Sequence, residues 1–316
     1  VGHTIILSQQ KEFQNKFFAA MPNYSVFCFF IISGFLIFSS IERHSNLKTY
    51  IKNRIKRIFP AYIVVVIFFS VFLCIFSYQS ATEYFSVEWL KYLVANLLFL
   101  NFLEPCINFV FSNNFTCAVN GSLWTIKVEL MFYAFVPILY YSIRNRSLFH
   151  KNIILIILYG LSIAYFTIIS IALENDVLAK QFPGSLMYFV SGIFLYINHE
   201  YFKRNIGRIL PLAILLILIE KILLSINILT PFLIGIIIFW AAFVKSPLRH
   251  FGKYGDFSYG MYLVHFPIVQ IFVQEGLFEK YSFYGFAICI LVVITISIII
   301  WHLLEKPSLI FRRNSA

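Results

Sequence analysis

Apolar residues in this chain come in runs long enough to cross a bilayer, and that decides what it can fold into. A helix needs about 17–25 such residues to span the hydrocarbon core. Runs of this kind lie near Ser25–Ile41, Ala61–Tyr78, Leu123–Tyr141, Ile153–Leu173, Pro183–His199, Ile209–Leu224, Ile228–Val244, Ser258–Gln274 and Phe283–Leu303. Lipid offers no hydrogen bonds, so backbone groups must satisfy one another as helices or as a closed barrel. These runs are too long and too unalternating for barrel strands. The expectation is an all-α, polytopic integral membrane helical bundle with about nine transmembrane helices. No repeat or low-complexity linker divides it, so residues 1–316 read as one membrane domain. A soluble fold is excluded: 60% of residues are hydrophobic and only 12% charged, against about 25% charged in soluble domains.

The run Trp89–Leu103 is marginal in length and reads as a re-entrant or interfacial helix. Leaving it out of the span count makes basic and acidic connections alternate. One side collects Arg43, Lys48, Lys52, Arg54, Lys56, Arg57, Arg144, Arg146, Lys151, Lys203, Arg204, Arg208, Lys245, Arg249, Lys253, Lys306, Arg312 and Arg313. The other carries Glu83, Glu88, Glu104, Glu174, Asp176 and Glu279. The positive-inside bias then sets the basic loops and the C-terminus in the cytoplasm. The net charge of +11 is a topology signal. It is scattered over short loops rather than gathered in one stripe, so no nucleic-acid partner is expected. Membrane lipids are the expected surroundings. Usage rich in Phe, Ile and Asn points to an AT-rich bacterial genome, hence a bacterial cytoplasmic (inner) membrane. Val1–Leu7 reads as the tail of a further span; with no Met before it, the chain is expected to begin inside its first helix.

Cys106 and Cys117 share one non-cytoplasmic loop, where a disulfide would survive; a bond and two unrelated thiols are both open. Cys28, Cys74 and Cys289 lie in apolar runs as small packing residues. None of the five has metal-ligand spacing, and no metal is expected. Asn23, Asn114 and Asn120 each open an Asn-x-Ser/Thr pattern, which is common by chance.

A few polar residues sit where they are expensive. Lys127 and Glu129 open an apolar run, and charges near a helix centre cost roughly 2.5–3.5 kcal/mol each on insertion scales. They point to a polar interior: a membrane enzyme or a transporter. Glu129, with Trp124 before it and Tyr133 one turn after, suits orienting a histidine, binding a sugar hydroxyl or neutralising a cation. Lys127 and Glu129 do not share a helical face. His3 and His265 can exchange a proton near neutral pH; each is equally readable as a histidine hydrogen-bonded between helices. Pro267 removes a backbone donor two residues after His265, leaving polar backbone near the imidazole. Arg54 and Arg57 are three apart on one helical face before a span. Guanidinium forks suit phosphate oxygens, and such a pair also holds topology against anionic lipid. Ser33-Gly34 reads first as a small-residue helix contact. Glu305 and Asp256 lie at helix mouths, where either suits pairing with a loop arginine.

Five stretches, taken in order, resemble the membrane acyltransferase-3 family of sugar and glycan O-acyltransferases. They are Gly2-His3, Phe29–Ile37 around Ser33-Gly34, Arg54–Tyr62, Gly121–Tyr133, and Ser258–Pro267 followed by Glu305-Lys306-Pro307. The resemblance covers nearly the whole chain. It implies ten membrane helices, nine spans here plus a first helix carrying an arginine before His3. That arginine is missing, which agrees with a late start of the chain. The implied activity is that of an O-acyltransferase, most often an O-acetyltransferase. It moves an acyl group from cytoplasmic acyl-CoA, as co-substrate with no permanently bound cofactor, to a hydroxyl of a cell-surface or lipid-linked carbohydrate such as lipopolysaccharide. The roles implied are His3 as general base, His265 and Glu129 as further catalytic groups, and Arg54 and Arg57 on the coenzyme A phosphates. Trp124, Tyr133 and Ser33 would line the acceptor site. Against this stands a transporter of a glycan, lipid-linked sugar or organic anion, which would explain buried charges equally well. Internal repeat symmetry would favour it, and none is visible. A non-catalytic scaffold is a third reading, and the scarcity of sequence outside the bundle weighs against it.

Overall fold

A computed structural model describes residues 2–8, 16–44, 46–223, 227–243 and 255–310. Lys245, Arg249, Lys253, Arg312 and Arg313, which the charge pattern used, and Leu224 and Val244 at the ends of two expected spans lie outside these. The described residues form helices in the order α1 (Gly2–Ser8), α2 (Lys16–His44), α3 (Leu47–Phe72), α4 (Ala81–Tyr84), α5 (Val87–Leu97), α6 (Trp124–Ile143) and α7 (Leu148–Thr167). There follow α8 (Asp176–Ala179), α9 (Phe182–Ile197), α10 (His199–Leu223), α11 (Thr230–Phe243), α12 (Ser258–Gln274), α13 (Leu277–Ile300) and α14 (Lys306–Ile310). Single π-turns extend α7 over Ile168–Ala172 and join α13 to α14 over Trp301–Glu305. Among the described residues there is no β-strand, only an isolated bridge between Cys106 and Ala118.

Five helical stretches among the described residues are long and apolar enough to cross a membrane: Met21–Arg43, Leu47–Phe76, Trp124–Ile143, Leu148–Ala172 and Phe283–Leu309. They coincide with five of the nine expected spans. The other four runs are helical but differ in kind. α9, α11 and α12 have 16, 14 and 17 residues, at or below the short end of a crossing. α10 has 25 residues but carries Glu200, Lys203, Arg204, Arg208, Glu220 and Lys221. The marginal run Trp89–Leu103 becomes α5, of 11 residues, roughly 16 Å long and too short to cross.

Contacts divide the chain into two compact units. The first holds Val1–Pro22, Ile51–Lys127 and Tyr254–Ala316; the second holds Asn23–Tyr50 and Val128–Lys253.

In the second unit, α2 and α9 pack backbone to backbone. A Cβ on Gly34 would run into the Phe189 carbonyl, and one on Gly192 into the Ile31 carbonyl. Small residues are what permit such an approach in a membrane, where packing rather than hydrophobicity joins helices. Phe132 stacks on Phe189, ring centroids 4.1 Å apart. Outward-facing side chains of α7, such as Ile156, Ile157 and Leu161, stay exposed, as suits a surface bathed in lipid.

The start of α11 is capped from α10. Glu220, 3% exposed, accepts from the amides of Ile228 and Leu229 at 2.6 Å each and of Thr230 at 2.7 Å, and from the Thr230 hydroxyl at 2.5 Å. These are donors that a helix start leaves without intrahelical partners. Glu220→Ala is expected to cost about 3 kcal/mol, since it strands donors that had a charged acceptor. A thermal melt in detergent checks it; an unchanged midpoint contradicts it.

The first unit is built around α12, which packs against α13 and α1. Tyr62 of α3 donates to the Asn96 carbonyl at 2.6 Å and stacks on Phe99. Tyr84 and Trp89 both donate to the Ser70 carbonyl at 2.8 Å. These tie α4 and α5 to α3.

Candidate active site

α12 is held in three places. At its first turn, Arg57 of α3 reaches Asp256 at 2.6 Å and Glu305 at 3.3 Å. Beside this clamp, Tyr259 donates to the Ile58 carbonyl at 3.0 Å. Burial pushes the Asp256 carboxyl up, but the Arg57 guanidinium and the hydrogen bonds from Ser258 outweigh it and leave the group below its ordinary range. At the far end, Gln270, 0% exposed, donates to the Thr116 and Ala118 carbonyls at 2.7 and 2.8 Å, and accepts from Asn114 at 3.0 Å. Gln274 accepts from the Phe111 amide at 3.0 Å and donates to the Phe76 carbonyl at 2.7 Å. The loop these glutamines hold is closed by a Cys106–Cys117 disulfide, which resolves the choice left open by the sequence.

The middle tie comes from the loop before α6. Pro267 has no N–H, so the Leu263 carbonyl four residues earlier lacks its helical donor. The Asn120 side-chain amide donates to that carbonyl at 2.7 Å. Its oxygen accepts from the Ser122 hydroxyl at 2.6 Å. The Tyr262 hydroxyl contacts the Ser122 carbonyl and the Thr125 hydroxyl. Gly121 lies so near α12 that a Cβ would meet the Phe266 ring at 2.7 Å. Asn120 is 8% exposed with both ends of its amide engaged, so it is no accessible glycosylation acceptor.

His265 sits in the turn so fixed. Its Nδ1 lies 3.1 Å from the Met261 carbonyl and 2.9 Å from the Tyr262 carbonyl. Carbonyls only accept, so this nitrogen carries the proton and Nε2 of the neutral ring does not. His3 of α1 places its Nδ1 2.8 Å from that Nε2. The rings are nearly parallel, at 16° with centroids 5.0 Å apart. His3 Nδ1 must therefore donate, and the lone pair of the neutral His3 ring falls on its own Nε2. Phe266 closes one side edge-on, with centroids 5.4 Å apart. The pair thus offers one base with a second imidazole and two backbone carbonyls behind it. Such a chain orients the base and disperses the charge it acquires, as the carboxylate does in a hydrolase triad.

The predicted site residues fall in several places. His3 and His265 are brought into contact across 262 positions of sequence. Arg57 is held by two carboxylates, which gives it a structural duty in addition to any ligand. Arg54 is half-buried on the same helix, and Trp124, half-buried, opens α6. Ser33, Glu129 and Tyr133 belong to the second unit. Ser33 is buried beside the Gly34 contact with α9. Glu129 is buried and accepts from the Tyr133 hydroxyl at 2.5 Å. Lys127 lies over the Phe102 ring at 4.4 Å. Among the described residues no three His, Cys, Asp or Glu side chains are grouped so as to hold a metal ion. Asn120 and Gln270 were missed as site-building residues. The available signal was Pro267, which announces an orphan carbonyl at Leu263 and hence a donor from elsewhere.

Residues 1–302 match the family described as "Acyltransferase domain". This chain belongs to the acyltransferase-3 family. Its polytopic helices make it an integral membrane protein, and its family chemistry is acyl transfer. An O-acetyl transferase of Shigella phage Sf6 is 25% identical over 321 residues, covering 98% of this chain and 91% of the phage protein. No solved structure matches.

Proposed function

We propose that the protein moves an acetyl group from acetyl-CoA to a carbohydrate hydroxyl at a bacterial cytoplasmic membrane. The observation that carries this reading is the His3–His265 pair, whose hydrogen bonds leave His3 Nε2 as a base. The acceptor hydroxyl gives its proton to His3 Nε2 while its oxygen bonds to the thioester carbonyl carbon. His3 Nδ1–H stays donated to His265, whose own Nδ1–H points at the Met261 and Tyr262 carbonyls. The dipoles of those carbonyls favour the positive charge that His3 gains. Collapse of the tetrahedral adduct breaks the carbon–sulfur bond. The departing thiolate takes the proton from His3, giving the ester and free coenzyme A.

The reading also gives Arg54 and Arg57 the coenzyme A phosphates. Along α12, His265 lies seven residues beyond Ser258, roughly 10 Å from the Arg57 clamp. Trp124 offers an indole face to the sugar. The phage relative's description as an O-acetyl transferase supports the choice of acetyl and of oxygen as acceptor. A cytoplasmic donor site is supported by the positive-inside bias of the basic connections and of the start of α3, which carries Arg54 and Arg57.

The test is transfer of label from radiolabelled acetyl-CoA to a panel of cell-surface glycans by the protein in vesicles. Label in glycan is the expected result. Movement of unmodified glycan without label transfer would overturn the reading in favour of a transporter.

A further inference from the structure

We infer that Asn120 is a positioning residue for the histidine pair, its amide standing in for the backbone N–H that Pro267 removes from α12. An unpaired carbonyl buried in a membrane protein is costly. The helix therefore either distorts at Leu263 or finds another donor. The donor it finds is Asn120 at 2.7 Å. The amide is oriented without ambiguity. Its oxygen faces the Ser122 hydroxyl at 2.6 Å and the Ser122 N–H at 3.3 Å. A flipped amide would set NH2 against a backbone N–H, and oxygen against the Leu263 carbonyl. Gly121 supplies an independent sign that the loop is shaped for this approach, because a Cβ there would collide with Phe266.

The carbonyls of Met261 and Tyr262, two residues and one before Leu263, are those that hold His265 Nδ1–H. If this turn slackens, His265 is released to its other tautomer. That tautomer carries the proton on Nε2 and cannot accept from His3. His3 Nδ1 then loses its acceptor, and the lone pair is no longer confined to Nε2. One amide, acting through one carbonyl, thereby sets the proton arrangement of both imidazoles.

The experiment is a double-mutant cycle on the whole protein in nanodiscs, with Asn120→Leu, Pro267→Ala and the two combined. Histidine labelled with 15N in the ring reports the tautomer, and loss of a signal in His265→Asn assigns it. Wild type is expected to show His265 as the Nδ1–H form. Asn120→Leu is expected to lose that form. The double variant is expected to regain it, because residue 267 then donates its own N–H to Leu263. The assignment is overturned if Asn120→Leu keeps the wild-type tautomer, or if the double variant resembles Asn120→Leu. Should Asn120→Leu alone not fold, a folded double variant supports the assignment and an unfolded one overturns it.

The kinetic arm rests on the transferase reading. Asn120→Leu is expected to lower kcat at least about tenfold, the scale of one unsatisfied buried group. The donor KM is expected to stay within about twofold, the pattern of a lost transition-state interaction. A kcat unchanged by Asn120→Leu overturns the positioning role. Absence of transfer by wild type would sink the transferase reading instead, and the tautomer series would still decide the place of Asn120.

Discussion

His3→Ala is expected to lower acetyl transfer by about 10³-fold, within the range that a positioned general base contributes. The variant should still insert and fold. The Arg57, Asn120 and Gln270 ties of α12 do not involve His3. His265→Ala is expected to cost less, because His3 would keep its ring and lose only its orientation. Rates of label transfer at matched protein amounts check both. The order of the two effects carries the information: a His265 loss larger than the His3 loss would assign the base to the wrong ring.

Arg57→Ala is expected to destabilise the first unit by about 3–5 kcal/mol, because it leaves a buried carboxylate without its cation. That carboxylate is Glu305, whose side chain is 2% exposed. Asp256 is half exposed and adds less. Its lowered pKa gives it a pH signature. A carboxyl held below its ordinary range contributes stability above that range and loses it as the pH falls through the lowered value. Arg57→Leu combined with Glu305→Leu should be far less harmful than Arg57→Ala, since it leaves no buried lone charge and only the half-exposed Asp256 loses its partner. Thermal melts in detergent check the series. If the double variant is as unstable as the single one, the clamp is not what holds α3, α12 and α13 together. The same variants bear on the phosphate role. A donor KM that rises in a folded double variant supports Arg57 as a phosphate ligand, and an unchanged KM confines it to the clamp.

Much of the helix layout was legible because it depends on local composition. Apolar length alone locates the five described helices that are long and apolar enough to cross a membrane. Trp89–Leu103 is marginal by length, and the charge alternation leaves it out of the span count; α5 ends at Leu97. The runs that became α9, α11 and α12 have the same composition as the others. They are short from the outset: α12 covers its expected run, Ser258–Gln274, from end to end, and α9 runs from Phe182 to Ile197. Ser33-Gly34 was readable as a packing pair because small residues have few other uses in lipid.

The candidate site was legible only as a set of residue types. His3 and His265 are each ambiguous alone, and what gives them a role is a hydrogen bond between positions far apart in the chain. By sequence, Arg57 is readable as a phosphate ligand or as a topology anchor against anionic lipid, and Asp256 and Glu305 only as residues able to meet an arginine. Their convergence on one guanidinium depends on helix packing, which no local pattern encodes. Asn120 shows in the sequence only as the start of an Asn-x-Ser/Thr pattern, whereas its place is set by a proline in another helix.

The most direct measurement is chemical rescue of His3→Ala by free imidazole. The rate of label transfer from acetyl-CoA to glycan would be followed as imidazole is added. A base at this position predicts a saturable rise in the variant and no rise in wild type. Full transfer by His3→Ala without imidazole would contradict the account.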